Sequence, residues 1–200
     1  MTEHYFSNRP SSAREPFSFS YQLRGFTFTF HSDRGVFSKQ EVDFGSRLLI
    51  ELFEEPSISG ELLDIGCGYG PVGLALAKSF PARNIVMSDI NERAIELAKQ
   101  NAEENQVSNV EVFPSDVFSE MQGRKFAAIL TNPPIRAGKQ VVHQIFEEAF
   151  GYLEEQGELW VVIQKKQGAP SALEKLEKIY SEVEVLKKKK GYYIIRAIKS

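Results

Sequence analysis

Cysteine, histidine and long apolar runs are scarce in this 200-residue sequence. Its one cysteine, Cys67, cannot form an internal disulfide, and its three histidines are too scattered for their spacing to predict a metal site. No stretch approaches the roughly 18 consecutive apolar residues of a membrane-spanning helix, and the first residues lack the apolar core of a signal peptide. We therefore expect no metal centre, no membrane span and a location in the cytoplasm.

Charge is distributed unevenly along the chain, although the net charge is only −3. Residues 41–160 hold 9 Lys and Arg against 20 Asp and Glu, whereas residues 161–200 hold 10 against 4 and residues 1–40 hold 5 against 3. The overall balance argues against a general nucleic-acid binder. A polyanion could still dock at the two basic ends of the sequence if they meet in space.

Length and composition fit one domain, since 42% of the residues are apolar and no linker separates two parts. Phe26, Phe28 and Phe30 alternate with threonines, a period-2 pattern that predicts a half-buried strand in a hairpin or flap. We expect a poorly ordered arm and this flap to occupy residues 1–36, and the main body to occupy residues 37–200.

A helix is predicted to follow the flap. Ser38 with Glu41 matches a capping box, and Phe37 with Val42 matches a hydrophobic staple. Together they predict a helix that begins after Ser38 and continues to about Glu55.

From Gly60 onward, short apolar runs alternate with helical patterns. The predicted strands are ELLDI, NIVMS, VEVF, FAAILT and ELWVVI, and the helices begin near Pro71 or cover Glu92–Asn105, Lys139–Leu153 and about Ala172–Ser181. Such alternation is typical of an α/β fold in which helices cover both faces of a parallel sheet. Two last strands, SEVEVLKK and YYIIRAIK, flank a predicted turn over Lys187–Gly191, so the sheet should end antiparallel.

A glycine-rich loop follows the first of these strands, in Asp64-Ile65-Gly66-Cys67-Gly68-Tyr69-Gly70. Glycines at a strand-to-helix turn let a ligand approach the backbone, and the helix start offers free N–H groups, which indicates a nucleotide-type site. Gly68, Gly70 and Gly73 also satisfy the dinucleotide fingerprint, so spacing alone leaves a dehydrogenase open. No lysine follows the glycines, which excludes a P-loop.

Charge distinguishes a dinucleotide from the other candidate ligand, S-adenosylmethionine, better than the spacing of the glycines does. Asp64 beside the turn would repel a pyrophosphate, but it suits the ammonium and sulfonium of S-adenosylmethionine. Asp89 could accept the ribose hydroxyls, and Asp116 could accept the adenine amino group while Val117 and Phe118 flank the base. The alternative is that such strand-end acids only cap helices.

Asn132, Pro133 and Pro134 follow the fourth predicted strand. Two prolines stop the strand and stiffen the backbone, while the Asn132 amide oxygen and the Pro133 carbonyl are acceptors. Two fixed acceptors would grip the N–H bonds of a planar amine and turn its lone pair toward a methyl donor, and their dipoles would stabilise the developing charge. The alternative is a simple turn.

These motifs in this order, DIGCGYG, SDIN, SDVF and NPPI, resemble the class I S-adenosylmethionine-dependent methyltransferases that act on planar amino groups. The segments GVFSKQEVDFGSRLLI and ILTNPPIRAGK are similar to the ribosomal small-subunit guanine-N2 methyltransferase family, and the resemblance covers about residues 30–200. It implies a Rossmann-like, mostly parallel seven-stranded sheet of order 3-2-1-4-5-7-6 whose seventh strand is antiparallel, with residues 37–200 as the methyltransferase domain.

The resemblance also implies the site residues. The cofactor S-adenosylmethionine would be bound by Asp64, Gly66, Cys67, Gly68, Gly70, Asp89, Ile90, Asp116, Val117 and Asn132. The target amine would be held by Asn132, Pro133 and Pro134, with Ile135 and Arg136 contacting the substrate. From their places in the sequence, Lys165 could also contact the substrate, and Phe37 could close over the cofactor or the base, although the hydrophobic staple accounts for Phe37 as well. Ile135 and Arg136 stand where members carry a stacking aromatic residue, and the guanidinium plane could replace it.

The leading hypothesis is methyl transfer to the exocyclic amine of an RNA base, guanine N2 of 16S rRNA, with rRNA or the ribosomal small subunit as partner. Lys165 and Lys166, together with Arg136, Lys139 and the run Lys187–Lys190, could contact phosphates, although four consecutive lysines also suit a solvated turn. Two alternatives are methylation of a protein glutamine amide and a non-catalytic, cofactor-binding RNA-assembly factor.

Overall fold

The computed structural model describes residues 15–33, 41–133 and 138–200. Its strands are β1 (Pro16–Leu23), β2 (Phe26–Asp33), β3 (Glu61–Ile65), β4 (Ile85–Asp89), β5 (Val110–Pro114), β6 (Phe126–Thr131), β7 (Leu153–Gln164), β8 (Glu182–Lys189) and β9 (Tyr192–Ile198). Its helices are α1 (Phe44–Leu52), α2 (Pro71–Ser79), α3 (Glu92–Glu104), α4 (Lys139–Tyr152) and α5 (Ala169–Ile179).

Seven strands form one sheet in the order β5-β4-β3-β6-β7-β9-β8. The strands from β5 to β7 are parallel, and β9 is antiparallel to both β7 and β8. Counted from β3, the order is 3-2-1-4-5-7-6, which confirms the predicted α/β fold and its antiparallel seventh strand. The arrangement places the carboxyl ends of β3, β4, β5, β6 and β7 along one edge.

Helices cover both faces of this sheet, so its central strands are apolar on both sides. Leu62 and Leu63 are neighbours on β3, yet they lie in the two different hydrophobic clusters that flank the sheet. The longest helix, α4, has 14 residues. In the part of the chain that the structure describes, no helix is long and apolar enough to cross a membrane.

The β1–β2 hairpin forms the predicted flap and packs on α3. Phe28 and Phe30 are fully buried, whereas Phe26 near the turn is exposed. Asn101 of α3 accepts from the backbone N of His31 and donates to its O, and Asn105 makes the same pair of hydrogen bonds with Thr29. The two asparagine amides therefore pair with β2 much as a neighbouring strand would.

The start of α1 differs from the prediction. Its N-cap is Asp43, whose carboxylate accepts a hydrogen bond from the backbone N of Ser46 at 3.1 Å. Residues 41–43 precede the helix, so the predicted start after Ser38 is wrong. Two cap signals compete within six residues here, and Asp43 lies directly before the buried helical face.

The final hairpin is confirmed, although its turn is shorter than predicted. Lys187, Lys188 and Lys189 belong to β8, and the turn consists of Lys190 and Gly191 alone. Both turn residues have positive φ, 49° and 79°, as in the two-residue turns that suit a twisted hairpin.

Candidate functional site

Four predicted site segments meet at the carboxyl edge of the sheet, where ligands of open α/β sheets bind. The glycine loop follows β3, and its Gly66 donates from its backbone N to Ser88 O of β4 at 2.8 Å. On the other side of β3, the Thr131 hydroxyl at the end of β6 donates to Ile65 O at 3.2 Å. The loop therefore lies between Asp89 of β4 and Asn132 after β6.

Two glycines of the loop are required for different reasons. Gly70, with φ of 102°, has no room for a side chain, since an added Cβ would lie 2.8 Å from the Met87 side chain. Gly66, with φ of 75°, has open space where its Cβ would be. The backbone at Gly66 is thus bare toward the outside of the sheet edge, as close contact with a ligand requires.

Asp64, at the end of β3, is 3% exposed. One of its oxygens accepts a hydrogen bond from the backbone N of Gly73 at 2.9 Å, which ties β3 to the first turns of α2. Burial raises the pKa of the Asp64 carboxyl to about 7, the Gly73 hydrogen bond opposes that rise, and the charge of Asp89 adds to it. A nearby cation would offset this cost of burying the carboxylate.

Asp89 is the second buried carboxylate of the site. Its two oxygens accept from the backbone N atoms of Gly68 and Asn91, each at 2.9 Å. Burial raises the pKa of Asp89, and the backbone hydrogen bonds oppose that rise. Each carboxylate oxygen can accept a second hydrogen bond, so a ligand diol could bind the same group.

An open cleft of about 680 Å³ lies beside Asp89 and is lined by Ile90, Glu92, Phe113, Ser115 and Asp116, among others. Asp116 is exposed at this cleft, and Val117 next to it is partly buried. Phe118 is fully buried and stacks on Tyr152 with ring centroids 4.6 Å apart. The ring of Phe118 therefore lies in the core beneath the cleft and does not flank a base there.

The Cys67 side chain also points inward. Its thiol is buried and donates to Gly68 O, while its backbone N donates to Ser88 O. Burial raises the pKa of this thiol well above its ordinary value. Cys67 thus belongs to the structural part of the loop, and its thiol is neither ionised nor exposed.

The side chain of Asn132 is anchored by the start of α1. Its Nδ2 donates to Asp43 Oδ1 at 3.2 Å and to Ser46 Oγ at 3.1 Å. Asp43 Oδ1 also accepts from the backbone N of Ser46, so the group of Asn132 that lies next to it is the donating NH₂. The amide oxygen then faces away from α1, and it accepts no hydrogen bond from the described residues.

Three of the predicted substrate-binding residues, Phe37, Ile135 and Arg136, lie outside the described residues. So does Pro134, which is predicted to hold the target amine. Pro133 is described and buried at the end of β6. Lys165 is exposed at the end of β7. The Lys190 ammonium lies 5.0 Å from the ring centroid of Phe44, the residue after Asp43.

Three site residues escaped the sequence analysis. Asp43 and Ser46 carry a local N-cap signal, but their partner Asn132 lies 89 residues after Asp43 and 86 residues after Ser46. Asn101 donates from Nδ2 to Tyr69 O at 2.8 Å and so holds the glycine loop. Neither long-range contact has a signature in the local pattern.

No group of three or more His, Cys, Asp and Glu side chains within the described ranges could hold a metal ion. The polar groups described above are carboxylate and amide oxygens and backbone N–H groups. They suit a ligand with hydroxyl, amino and cationic groups.

Comparison with known proteins identifies a family and similar chains. The model of the methyltransferase small domain family matches residues 27–196. The chain is 60% identical over 200 residues to the uncharacterized protein YbxB of Bacillus subtilis (strain 168), covering all of both chains. It is 37% identical over 160 residues to the ribosomal RNA small subunit methyltransferase C of Haemophilus influenzae (strain PittGG), covering 78% of this chain and 48% of that one.

A solved structure supports the same grouping. The 16S rRNA N2 G1207 methyltransferase (RsmC) of T. thermophilus, in complex with AdoMet and guanosine, superposes with a TM-score of 0.82 at 27% identity. The match covers 92% of this chain and 51% of that chain, so this chain spans about half the length of the rRNA methyltransferases that it matches.

Proposed function

Since the chain belongs to the methyltransferase small domain family, an S-adenosylmethionine-dependent family, we propose that it methylates the exocyclic N2 amine of a guanine in small-subunit rRNA. The observation that carries this proposal is the anchored amide of Asn132. Its oxygen accepts no hydrogen bond from the described residues, and Asn132 and Gly66 directly follow the paired strand residues Thr131 and Ile65 at the carboxyl edge.

The residues at the carboxyl edge fit S-adenosylmethionine. Gly66 leaves room for the methionine part, and Asp64 beneath the loop favours a cation above it. Asp89 could accept the ribose hydroxyls, and the cleft beside Asp116 has room for the adenine. When bound, S-adenosylmethionine supplies an electrophilic methyl group on a sulfonium.

The acceptor amine would be held by Asn132 Oδ1 and the Pro133 carbonyl. Each oxygen accepts one N–H of the amine, so the nitrogen lone pair turns toward the methyl group. The nitrogen–carbon bond forms as the sulfur–carbon bond breaks, and the extra proton on nitrogen leaves to water. Two fixed dipoles that meet the developing positive charge would contribute about 3 kcal/mol each, if oxyanion-hole magnitudes apply.

Similarity supports rRNA as the substrate class. The relatives with 37% and 27% identity are named as methyltransferases of small-subunit rRNA, and the second is named for guanine N2. A guanine N2 amine is planar and poorly nucleophilic, which is the kind of group that a pair of fixed acceptors activates. The same pair could hold a glutamine amide, so the experiment has to distinguish the two acceptors.

The experiment is methyl transfer from labelled cofactor to transcribed small-subunit rRNA, to assembled subunits and to ribosomal proteins, followed by nucleoside and amino-acid analysis. We expect label in N2-methylguanosine. We also expect Asn132→Ala to abolish transfer while cofactor binding measured by calorimetry stays within a few-fold of wild type. Label in methylglutamine, or in another nucleoside, would refute the proposal.

A further inference from the structure

Six lysines lie at the β7–β9–β8 end of the carboxyl edge, and we call them the lysine surface: Lys165, Lys166, Lys187, Lys188, Lys189 and Lys190. Lys165, Lys166 and Lys190 line one cleft there, whereas Lys188 lies over the Tyr193 ring on the other face of the sheet. All six are exposed. None of the ion pairs found among the described residues involves them. Residues 41–160, in contrast, carry 20 acidic against 9 basic side chains. The lysine surface is therefore a local concentration of uncompensated positive charge on an acidic protein.

The fold brings the two parts of this surface together. Gln164 and Lys189 both pair with Tyr192, so the end of β7 and the end of β8 lie on either side of β9. The backbone N of Lys165 donates to Gly191 O at 2.7 Å. A cleft of about 520 Å³ lies between them, lined by Gln164, Lys165, Lys166, Pro170, Lys190 and Gly191.

The start of α5 adds to the positive potential of this cleft. The helix begins at Ala169 beside Pro170, and no side chain caps its first turn. The positive end of the helix dipole thus lies next to the ammonium groups. Lysine ammonium groups and a helix start together favour an anion in the cleft.

The lysine surface borders the acceptor site. Lys190 lies over the ring of Phe44, which also contacts the Tyr192 ring with centroids 5.5 Å apart. Phe44 directly follows Asp43, the residue that anchors Asn132. A chain of contacts therefore leads from the cleft to the acceptor amide.

Lys190 is an unfavourable choice for the turn itself. It has a φ of 49° in a two-residue hairpin turn, where Asn, Asp and Gly are the usual residues. A non-glycine residue in this conformation costs about 1 kcal/mol. Asparagine would suit the turn better, so the backbone conformation of the turn does not account for the lysine.

We propose that the lysine surface binds the RNA phosphates that flank the methylated nucleotide. The inference rests on the proposed function, because a base held at Asn132 stays attached to its own backbone. That backbone has to leave the site along the carboxyl edge, and the lysine surface occupies the edge next to Asn132. Phosphate contacts fix the position of the RNA, while the base is read in the pocket.

The test compares two double variants that each remove two positive charges. Lys165→Gln with Lys190→Asn alters the cleft, and asparagine keeps the turn. Lys99→Gln with Lys178→Gln is the control, since both residues are exposed on α3 and α5, outside the lysine surface. Binding of transcribed, unmodified small-subunit rRNA is measured between 50 and 200 mM salt, with thermal unfolding alongside.

The cleft variant should bind rRNA about tenfold more weakly at 100 mM salt, and the slope of log K against log salt should fall by about 1.4–1.8, since each lost phosphate contact removes about 0.7–0.9. The control should match wild type. In methyl transfer, the cleft variant should have a raised KM for rRNA and an unchanged kcat. Equal affinity and slope for the two variants, or equal binding of polyglutamate and rRNA by wild type, would overturn the inference.

Failure of the proposed function gives a different result. If wild type binds rRNA through the lysine surface but transfers no methyl to guanine N2, the RNA-binding role of the surface is supported and the proposed reaction is refuted. If guanine N2 is methylated and the cleft variant keeps the wild-type KM, the proposed reaction is supported and the RNA-binding role of the lysine surface is refuted.

Discussion

Asn132 Nδ2 donates to Asp43 Oδ1 at 3.2 Å, and this hydrogen bond joins the end of β6 to the cap of α1. Asp43 therefore has two tasks, since the same oxygen accepts from the backbone N of Ser46. Substitution at position 43 can separate the helix cap from the orientation of the acceptor amide.

We expect Asp43→Ser to lower kcat about tenfold or more while leaving the melting temperature within about 2 °C of wild type. Serine caps a helix as well as aspartate does, but it is one atom too short to keep the contact with Asn132. Asp43→Asn is the matched control, because its amide oxygen reaches both partners and should keep kcat within a few-fold. A wild-type kcat for Asp43→Ser would show that Asn132 is oriented without Asp43.

Cofactor affinity should depend on pH through Asp64. Its pKa is raised to about 7, mainly by burial, so the carboxyl is largely protonated below pH 7 in the free protein. The ionised form is the one that favours a cationic ligand, and we therefore expect affinity to fall as pH drops through 7. Calorimetry in buffers of different ionisation enthalpy should detect proton release on binding near pH 6.5. Asp64→Asn should weaken binding at pH 8 and remove this pH dependence; a variant that keeps it would assign the titration to another group.

The same carboxyl should destabilise the unliganded protein at high pH. The pKa of Asp64 in the folded state, about 7, lies above its ordinary value of 3.8. The folded state therefore binds the proton more tightly, and the contribution of Asp64 to stability is lost as pH rises from about 4 to about 7. We expect Asp64→Asn to melt about 2–4 °C above wild type at pH 8, which corresponds to about 1 kcal/mol. At pH 5 the difference should be smaller, and an equal or larger difference there would contradict the assignment.

Gly66 and Gly25 offer a comparison between ligand contact and backbone strain. They have φ values of 75° and 82°, and an added Cβ at either position meets no atom within 4 Å. Replacement by alanine should lower the free energy of unfolding of each variant by about 1 kcal/mol. Only Gly66→Ala should weaken binding of S-adenosylmethionine, by about tenfold or more. Equal affinities of the two variants in calorimetry would mean that the bare backbone at Gly66 does not meet the cofactor.

Much of the fold follows from local patterns. The apolar runs of β3, β4 and β6, and the helical period of α3, are strong enough to predict the parallel sheet, and the acidic residues after successive strands indicate where its ligand edge lies. Phe118 shows the limit of such reasoning. A residue two positions after a site acid can point either to the cleft or to the core, and here tertiary packing on Tyr152 decides.

The contacts that orient the site are harder to predict. Asp43 and Ser46 are recognisable as a helix start, but nothing in their neighbourhood indicates Asn132 as their partner. The lysine surface is equally hard to predict from local sequence, because Lys165 and Lys190 become neighbours only through the pairing of β9 with β7 and β8. Sequence patterns predict the elements, whereas these contacts depend on how the elements pack.

The asparagine pairing of the flap couples two distant parts of the molecule. Asn101 bonds both to His31 of β2 and to Tyr69 O in the glycine loop, so an opening of the hairpin that pulls Asn101 aside also frees that loop. A ligand that immobilises the loop thereby resists the opening. The His31 backbone amide, which donates to Asn101, should exchange its proton with deuterated water more slowly once the cofactor binds, and so report occupancy of a pocket that it does not line.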